Sequence, residues 1–216
     1  MTLIIFDFDG TLVDSRPLIW ESHRIVFSEF QLPLPPPDVS LALVGQSLNV
    51  ILAQLAGASA PIQDMVRAYD LLLPQLRANP AFAEKPFDGT DALLSDLSCR
   101  PDTILGLATG HSSLTVAPAL EALQWRNHFR TIQAADMAPS KPHPAMLLQA
   151  LAATGVTADN AIFVGDTTYD MKMAQSANLR SIGVSWGYHK AERLVTAGAQ
   201  HIVHTIEELR DHLRTI

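Results

Sequence analysis

Two aspartates stand two positions apart near the start of the chain, in the run Asp-Phe-Asp-Gly-Thr of residues 7–11. Side chains alternate across a β-strand, so Asp7 and Asp9 can point the same way, and Gly10 lets the backbone turn close to a ligand. Two carboxylates at this spacing repel each other, and a divalent cation is the simplest way to keep Asp7 ionised. Alone, the Asp-Gly pair is equally compatible with a β-turn.

A second acidic pair lies in the run Gly-Asp-Thr-Thr-Tyr-Asp of residues 165–170. Asp166 and Asp170 are one helical turn apart, so Asp166 can reach a metal ion while Asp170 supports it or orients a neighbour. The ordinary alternative is that Asp166, Thr167 or Thr168 only caps the helix that follows.

Two shorter polar clusters add a hydroxyl and an ammonium group. They are Thr109-Gly110 and the Ser-Lys-Pro run of residues 140–142. Taken singly, Thr109 could be a helix cap, and Lys141 could be an exposed loop lysine, as most lysines are.

The clusters follow apolar runs that are typical of strands. The predicted strands are 3–6, 103–108, 131–134, 161–164 and 181–184, and the predicted helices between them are 91–97, 114–123, 145–153, 169–177 and 206–213. This alternation predicts an α/β fold, a Rossmann-like parallel sheet with helices on both faces. Ligands bind outside the carboxyl ends of such strands, so we expect the four clusters to converge.

Residues 15–85 show only helical signals and predict an inserted helical cap domain, with 1–14 and 86–216 forming the core domain. Apolar stripes run through 19–30, 48–55 and 62–76. Ser47 is a plausible N-cap of the second stripe, Gly57 stands just past its end, and Pro74 should kink or break the third. The proline-rich residues 33–37 predict a stiff connector.

The composition limits the function classes. The 216 residues are 48% hydrophobic and 17% charged, as in ordinary globular domains. The net charge of −7 disfavours nucleic acid and anionic membranes as partners, and no apolar run approaches the roughly 20 residues of a membrane span. One cysteine, Cys99, and no leader-like start predict a cytoplasmic protein. The sequence contains no signal for an oligomeric state.

Taken in order, the motifs Asp-x-Asp-Gly-Thr, Thr-Gly, Lys-Pro and Gly-Asp-x-x-x-Asp resemble those of the haloacid dehalogenase superfamily. The helical insertion and the Trp-Gly-Tyr run of residues 186–188 resemble its phosphoglycolate phosphatase-like branch. The resemblance implies a Mg²⁺-dependent phosphatase that hydrolyses a small phosphorylated metabolite through an aspartyl-phosphate, with 2-phosphoglycolate as the first compound to test.

The resemblance also implies roles for individual residues. Asp7 matches the nucleophile, and Asp9 matches the general acid that protonates the leaving oxygen and then activates water. The catalytic set that it implies is Asp7, Asp9, Thr109 and Lys141. The phosphate-binding set is Asp7, Asp9, Thr109, Gly110 and Lys141. The Mg²⁺ ligands are Asp7, the backbone carbonyl of Asp9, and Asp166, supported by Thr11 and Asp170.

One departure from the family pattern is His111, which stands where many relatives carry a lysine. It could contact substrate or only mark a helix start, and the second interpretation is favoured because exposed polar residues mostly have no role in a site. The candidates for substrate recognition are Arg16, His23, Arg24 and the Gly-Gln-Ser turn of residues 45–47.

Other functions of the same fold are compatible with parts of this pattern. A metal-free dehalogenase is rejected, because Asp9, Asp166 and Asp170 would crowd negative charge around Asp7. A phosphomutase or a pyrophosphatase would share the core residues and differ in the cap. A catalytically silent binding module is disfavoured, because the set Asp7, Asp9, Lys141 and Asp166 is intact.

Overall fold

The computed structural model describes residues 1–57 and 59–215. Its strands are β1 (Thr2–Phe6), β2 (Val13–Asp14), β3 (Lys85–Pro86), β4 (Thr103–Ala108), β5 (Phe129–Gln133), β6 (Ala161–Gly165), β7 (Arg180–Val184) and β8 (His201–Val203). Its helices are α1 (Arg16–Glu29), α2 (Pro37–Leu41), α3 (Leu48–Ala56), α4 (Ile62–Arg77), α5 (Thr90–Ser98), α6 (Ser113–Ala122), α7 (Ala145–Thr154), α8 (Thr168–Ser176), α9 (Ala191–Thr196) and α10 (Ile206–Arg214). Among the described residues, no helix is both long and apolar enough for a membrane span.

The main sheet has six parallel strands in the order β5-β4-β1-β6-β7-β8. β1 lies inside it, with Phe6 paired to Leu107 of β4 on one side and to Val164 of β6 on the other. A parallel strand that is covered on both faces needs a continuous apolar run rather than alternation, and residues 3–6 are all buried. The predicted α/β class and parallel sheet are confirmed.

Helices cover both faces of this sheet. α5, α6 and α10 pack on the face that receives Ile4 and Phe6, whereas α7 and α8 pack on the face that receives Leu3 and Ile5. Successive residues of β1 therefore enter opposite hydrophobic cores, as the two-residue period of a strand requires.

The segment between β2 and β3 is helical and contains α1 to α4. Its apolar side chains form a hydrophobic cluster of their own, whose fully buried members include Leu18, Leu52, Met65 and Leu73. The two short strands that flank the segment pair with each other antiparallel, so the chain leaves and re-enters the sheet region side by side. All four helices fall within residues 15–85.

Local sequence signals inside this segment had mixed outcomes. Ser47 and Gly57 flank α3 as predicted, and Gly57 has a φ of 85°. The predicted break at Pro74 is wrong, because α4 continues through it to Arg77. Pro74 lies in the last turn, so its missing N–H removes one hydrogen bond near the helix end and not in the middle.

Candidate active site

The four polar clusters meet at the carboxyl edge of the sheet. Asp7 directly follows β1, Thr109 follows β4, and Asp166 follows β6, while Lys141 comes from the loop between β5 and α7. Parallel pairing holds the ends of β1, β4 and β6 side by side. The expected convergence is therefore a consequence of the strand order β4-β1-β6.

Lys141 lies at the centre of the site and is buried, so the interpretation of an exposed loop lysine is wrong. Its Nζ is 2.7 Å from Oδ1 of Asp7 and 2.7 Å from Oδ1 of Asp170. Burial opposes the charged form, but the carboxylates of Asp170 and Asp7 outweigh it and raise the pKa of Lys141 above its usual value. The side chain is therefore an ammonium ion held between two carboxylates.

Three buried carboxylates share this centre. Asp7, Asp166 and Asp170 each offer an oxygen atom, and these atoms lie within 4.8 Å of one another. Burial raises the pKa of Asp7 well above its usual value, and Asp170 adds to the shift, while Lys141 opposes it. Burial and then Asp170 raise the pKa of Asp166 to about 7.

This crowding suits a hard divalent cation. Within the described chain, neither carboxylate oxygen of Asp7 has an aligned hydrogen-bond partner, although both are buried. Three buried carboxylates, two of them with raised pKa values, and no sulfur or imidazole among them are a donor set for Mg²⁺. The carboxylate of Asp9 is not in this cluster, and a contribution of Asp9 through its backbone carbonyl stays a prediction.

Asp166 is held in a fixed orientation by its neighbours. Thr11 Oγ1 donates to Asp166 Oδ1 at 3.0 Å, and the backbone N–H of Tyr188 donates to Asp166 Oδ2 at 2.6 Å. Gly10 and Gly187 make room for this carboxylate, since a Cβ on either would lie within 2.3 Å of Oδ2. Gly10 also has a φ of 77°, which favours glycine.

Asp170 has two tasks at once. Its Oδ2 accepts hydrogen bonds from the N–H and the hydroxyl of Thr167, and its own N–H donates to Thr167 Oγ1, which together form a capping box at the start of α8. Its Oδ1 binds Lys141. The capping alternative is thus confirmed for Thr167 but not for Asp166, and Asp170 also contacts Lys141.

Asp9 points away from the three-carboxylate cluster and pairs with His111. The Nε2 of His111 is 3.0 Å from Asp9 Oδ2, and both side chains are more than nine-tenths buried. His111 lies at a helix start, directly before the N-cap Ser112 of α6, but its contact with Asp9 means that it does not only mark that start. Its ring also meets the edge of Phe8, with centroids 6.0 Å apart.

Thr109 and Gly110 lie directly after β4, at the same edge of the sheet. Thr109 is buried, and its Oγ1 accepts the backbone N–H of His111 at 3.1 Å, so Thr109 does not cap α6. A Cβ on Gly110 would lie 2.4 Å from the backbone oxygen of Gln46. Gly110 therefore lets the turn of residues 45–47 approach the sheet closely, while binding of phosphate by Thr109 and Gly110 stays a prediction.

A cleft of about 260 Å³ opens beside Asp9. Its walls come from the helical segment and from the loop after β4, and they include His23, Tyr69 and the turn of residues 45–47. The two predicted arginines do not line it. Arg24 is exposed and pairs with Glu21, and Arg16 donates to the backbone oxygens of the Trp-Gly pair at residues 186–187.

Comparison with known proteins assigns the chain to a family. The model of the haloacid dehalogenase-like hydrolases matches residues 4–184. The chain belongs to this family. The resemblance that the motifs carry is confirmed, and relatives named phosphoglycolate phosphatase confirm the resemblance to that branch.

The haloacid dehalogenase-like hydrolase has similar relatives along nearly its whole length. A probable phosphatase IndB from Dickeya dadantii is 32% identical over 213 residues, which are 96% of this chain and 91% of the relative. A phosphoglycolate phosphatase from Caulobacter vibrioides is 31% identical over 94% of this chain and 86% of its own. The crystal structure of a predicted phosphatase from Clostridium acetobutylicum is 28% identical, covers 100% of this chain and 99% of its own, and superposes with a TM-score of 0.84.

Sequence reasoning missed some groups around the hydrolase's site. They are Tyr188, whose backbone N–H binds Asp166, and His189. The Nδ1 of His189 accepts a hydrogen bond from the backbone N–H of Thr168 at 3.0 Å, and its Nε2 lies 2.9 Å from the backbone oxygen of Ala42. The available signal was the polar run that follows β7 at the same edge of the sheet. Asp70 in the cleft had no sequence signal, because it is one polar residue on an amphipathic helix.

Proposed function

We propose that this protein is a Mg²⁺-dependent phosphatase that hydrolyses a small phosphomonoester through an aspartyl-phosphate on Asp7. The observation that carries the proposal is the position of Asp7. Asp7 is buried at the end of β1, its Oδ1 is 2.7 Å from the Nζ of Lys141, and its carboxylate shares a cluster of oxygens with Asp166 and Asp170.

Asp7 is the nucleophile in this proposal. One of its oxygens forms a bond to phosphorus while the bond from phosphorus to the alcohol oxygen breaks, and water then cleaves the acyl phosphate to restore the carboxylate. Asp7 must be ionised to attack, and burial works against this. Mg²⁺ held by Asp7, Asp166 and the backbone carbonyl of Asp9 would neutralise this charge and the charge that develops on the phosphoryl oxygens.

Asp9 is the general acid and then the general base. Its carboxyl group lines the cleft, so it can give a proton to a leaving alkoxide that departs into this space and later take one from water. His111 holds it by the contact at 3.0 Å. Lys141, Thr109 and the N–H of Gly110 are the groups proposed to hold the phosphoryl oxygens.

The proposal assigns the chemistry and the closure of the cleft to two different parts of the chain. Residues 1–14 and 86–216 form the core domain that holds the chemistry, and residues 15–85 form the cap domain that closes over the cleft and excludes water. The separate hydrophobic cluster of α1, α3 and α4 supports this division.

A single assay tests the proposal. We expect purified protein to release phosphate from p-nitrophenyl phosphate with Mg²⁺ and to lose this activity in excess chelator. Asp64→Asn is a matched control, because Asp64 is an exposed aspartate on α4 that pairs with Arg67. Absence of turnover with Mg²⁺ would contradict the proposal. The names of the relatives make 2-phosphoglycolate the reference compound for substrate comparison.

A further inference from the structure

The charges around the cleft indicate which alcohols can occupy it. Among the described residues that line the cleft, none is lysine or arginine. Two acidic side chains, Asp70 of α4 and Asp136 after β5, line it in addition to Asp9. The space beyond the general acid therefore offers no fixed cation to a negatively charged leaving group.

The two histidines of the cleft do not supply a free positive charge. His111 is already paired with Asp9. Burial lowers the pKa of His23 to about 4, so its imidazole is neutral near pH 7. Arg77, whose charge lowers the pKa of Asp9, is held by both carboxylate oxygens of Glu84 at 2.9 and 3.0 Å.

His23 has a free polar atom at the wall of the cleft. Its side chain is 1% exposed, and its Nδ1 is 2.7 Å from Ser40 Oγ. Its Nε2 has no hydrogen-bond partner within the described residues. A buried polar atom without a partner costs free energy, and a polar group of a ligand in the cleft would satisfy it.

Asp70 is a carboxylate in the wall of the cleft that can repel a negatively charged substrate group. It is partly buried, and burial raises its pKa, while His111 opposes the shift and Asp136 adds to it. The carboxylate of Asp70 is therefore close enough to His111 and Asp136, two other residues of the cleft wall, to interact with their charges. A carboxylate brought into this space by a substrate would meet the like charge of Asp70.

We propose that the substrate is the phosphomonoester of a small alcohol that carries hydroxyl or ammonium groups and no carboxylate, with one polar atom bound by Nε2 of His23 and anionic leaving groups excluded by Asp70. This inference rests on the proposed phosphatase function and deepens it. It disfavours 2-phosphoglycolate, whose carboxylate is joined to the carbon that bears the ester oxygen.

Two matched substrate pairs test this. O-phosphoethanolamine and 2-phosphoglycolate differ by an aminomethyl group in place of a carboxylate, and glycerol 3-phosphate and 3-phosphoglycerate differ by a hydroxymethyl group in place of a carboxylate. With Mg²⁺, we expect kcat/KM to favour the member without the carboxylate in both pairs by at least about tenfold. p-Nitrophenyl phosphate is run beside them as a measure of the chemistry alone.

Variants test whether Asp70 and His23 cause the preference for substrates without a carboxylate. Asp70→Asn should reduce the ratio of kcat/KM values within each pair by at least about threefold, and Asp64→Asn on the same helix should leave both ratios unchanged. His23→Phe, which keeps an aromatic side chain and removes both ring nitrogens, should raise KM for glycerol 3-phosphate more than for p-nitrophenyl phosphate. Because each ratio is measured within one variant, a general loss of stability does not change it.

The outcomes separate the two proposals. Absence of turnover of every compound, the aryl phosphate included, would contradict the phosphatase function and this inference with it. Turnover of the aryl phosphate together with equal use or preference of the carboxylate-bearing members would overturn the inference alone. A preference that Asp70→Asn does not weaken would also overturn it, because Asp70 would not be the excluding group.

Discussion

The Nε2 atom of His111 lies 3.0 Å from Oδ2 of Asp9 in a buried contact at the mouth of the cleft. Burial raises the pKa of Asp9, but the contact with His111, together with Ser15 and the charge of Arg77, outweighs burial and holds the pKa below its usual value. The contact fixes, beside the cleft, the carboxyl group that the proposal uses as general acid and then as general base.

Removal of this histidine should change the pH profile of the reaction. In His111→Ala, only Ser15 and Arg77 still oppose the burial of Asp9, so the pKa of Asp9 rises, and the limb of the kcat/KM profile that belongs to Asp9 moves to higher pH. His111→Gln keeps a hydrogen-bond donor without the charge and should shift the limb less. His128→Ala removes a half-buried histidine that does not line the cleft and serves as the control. Profiles that superpose for all these proteins would show that His111 does not act on Asp9.

The second prediction concerns Asp7. Asp7→Asn should reduce turnover to less than about a tenth of that of the wild type, because an amide cannot form the acyl phosphate. The same change removes a buried charge whose pKa is raised, so the metal-free variant should melt no lower than wild type even though Lys141 loses one partner. Steady-state hydrolysis and a thermal melt in chelator measure both effects. Activity close to wild type would remove Asp7 from the role of nucleophile.

A third prediction links metal binding to pH through Asp166. Its pKa is about 7 in the folded, metal-free protein and near 3.8 as a free side chain. Between these values the folded state binds more protons than the unfolded state, so this group lowers the free energy of unfolding as pH rises through the window, and its full cost is present above about pH 7.

Mg²⁺ should therefore raise the melting temperature more at about pH 8 than at about pH 5, because protons compete for the same oxygens at the lower pH. At a concentration of about 100 times Kd, the gain in stability is about 2.7 kcal/mol. Asp166→Asn cannot be charged and should show a smaller pH dependence and a weaker response to Mg²⁺. Equal shifts at both pH values in the wild-type protein would count against Asp166 as a ligand.

The fourth prediction separates the two tasks of Asp9 by the leaving group. An alkoxide needs a proton as it departs, whereas nitrophenolate hardly does. Asp9→Asn should slow dephosphorylation of the enzyme for every substrate and slow the first step chiefly for alkyl esters. Rapid mixing of the variant with p-nitrophenyl phosphate should then show a burst of nitrophenolate. An equal loss in both steps for both kinds of ester would indicate that Asp9 only positions other groups.

Most of the sheet could be predicted because its strands are unambiguous in sequence. Residues 3–6 and 161–164 are apolar on both faces, and both are found as central strands. β8 and α9 were missed, because three and six residues with polar neighbours carry too little periodicity. α2 was missed because its first residue is Pro37, a favoured helix start that stood at the end of a proline run.

The residues of the site also fall into two groups, those that the sequence could predict and those that it could not. Asp7, Lys141 and Asp166 stand at strand ends or in short motifs, so topology alone brings them together. The pairing of His111 with Asp9 could not be read from the sequence, since the turn after β4 decides where that ring points. Asp70 and His23 face the cleft only because α1 and α4 are placed over the sheet by packing, and no local pattern encodes that placement.

The position of β1 in the middle of the sheet has a consequence for biosynthesis. Its partners in β4 and β6 stand about 100 and about 160 positions later in the chain, so at roughly 5–20 residues per second the second partner emerges about 8–32 s after β1. Until then this apolar strand has neither neighbour, and closing such long loops makes sheet assembly slow. We expect the nascent chain to depend on chaperones during that interval, more than a circular permutant in which β6 is synthesised directly before β1.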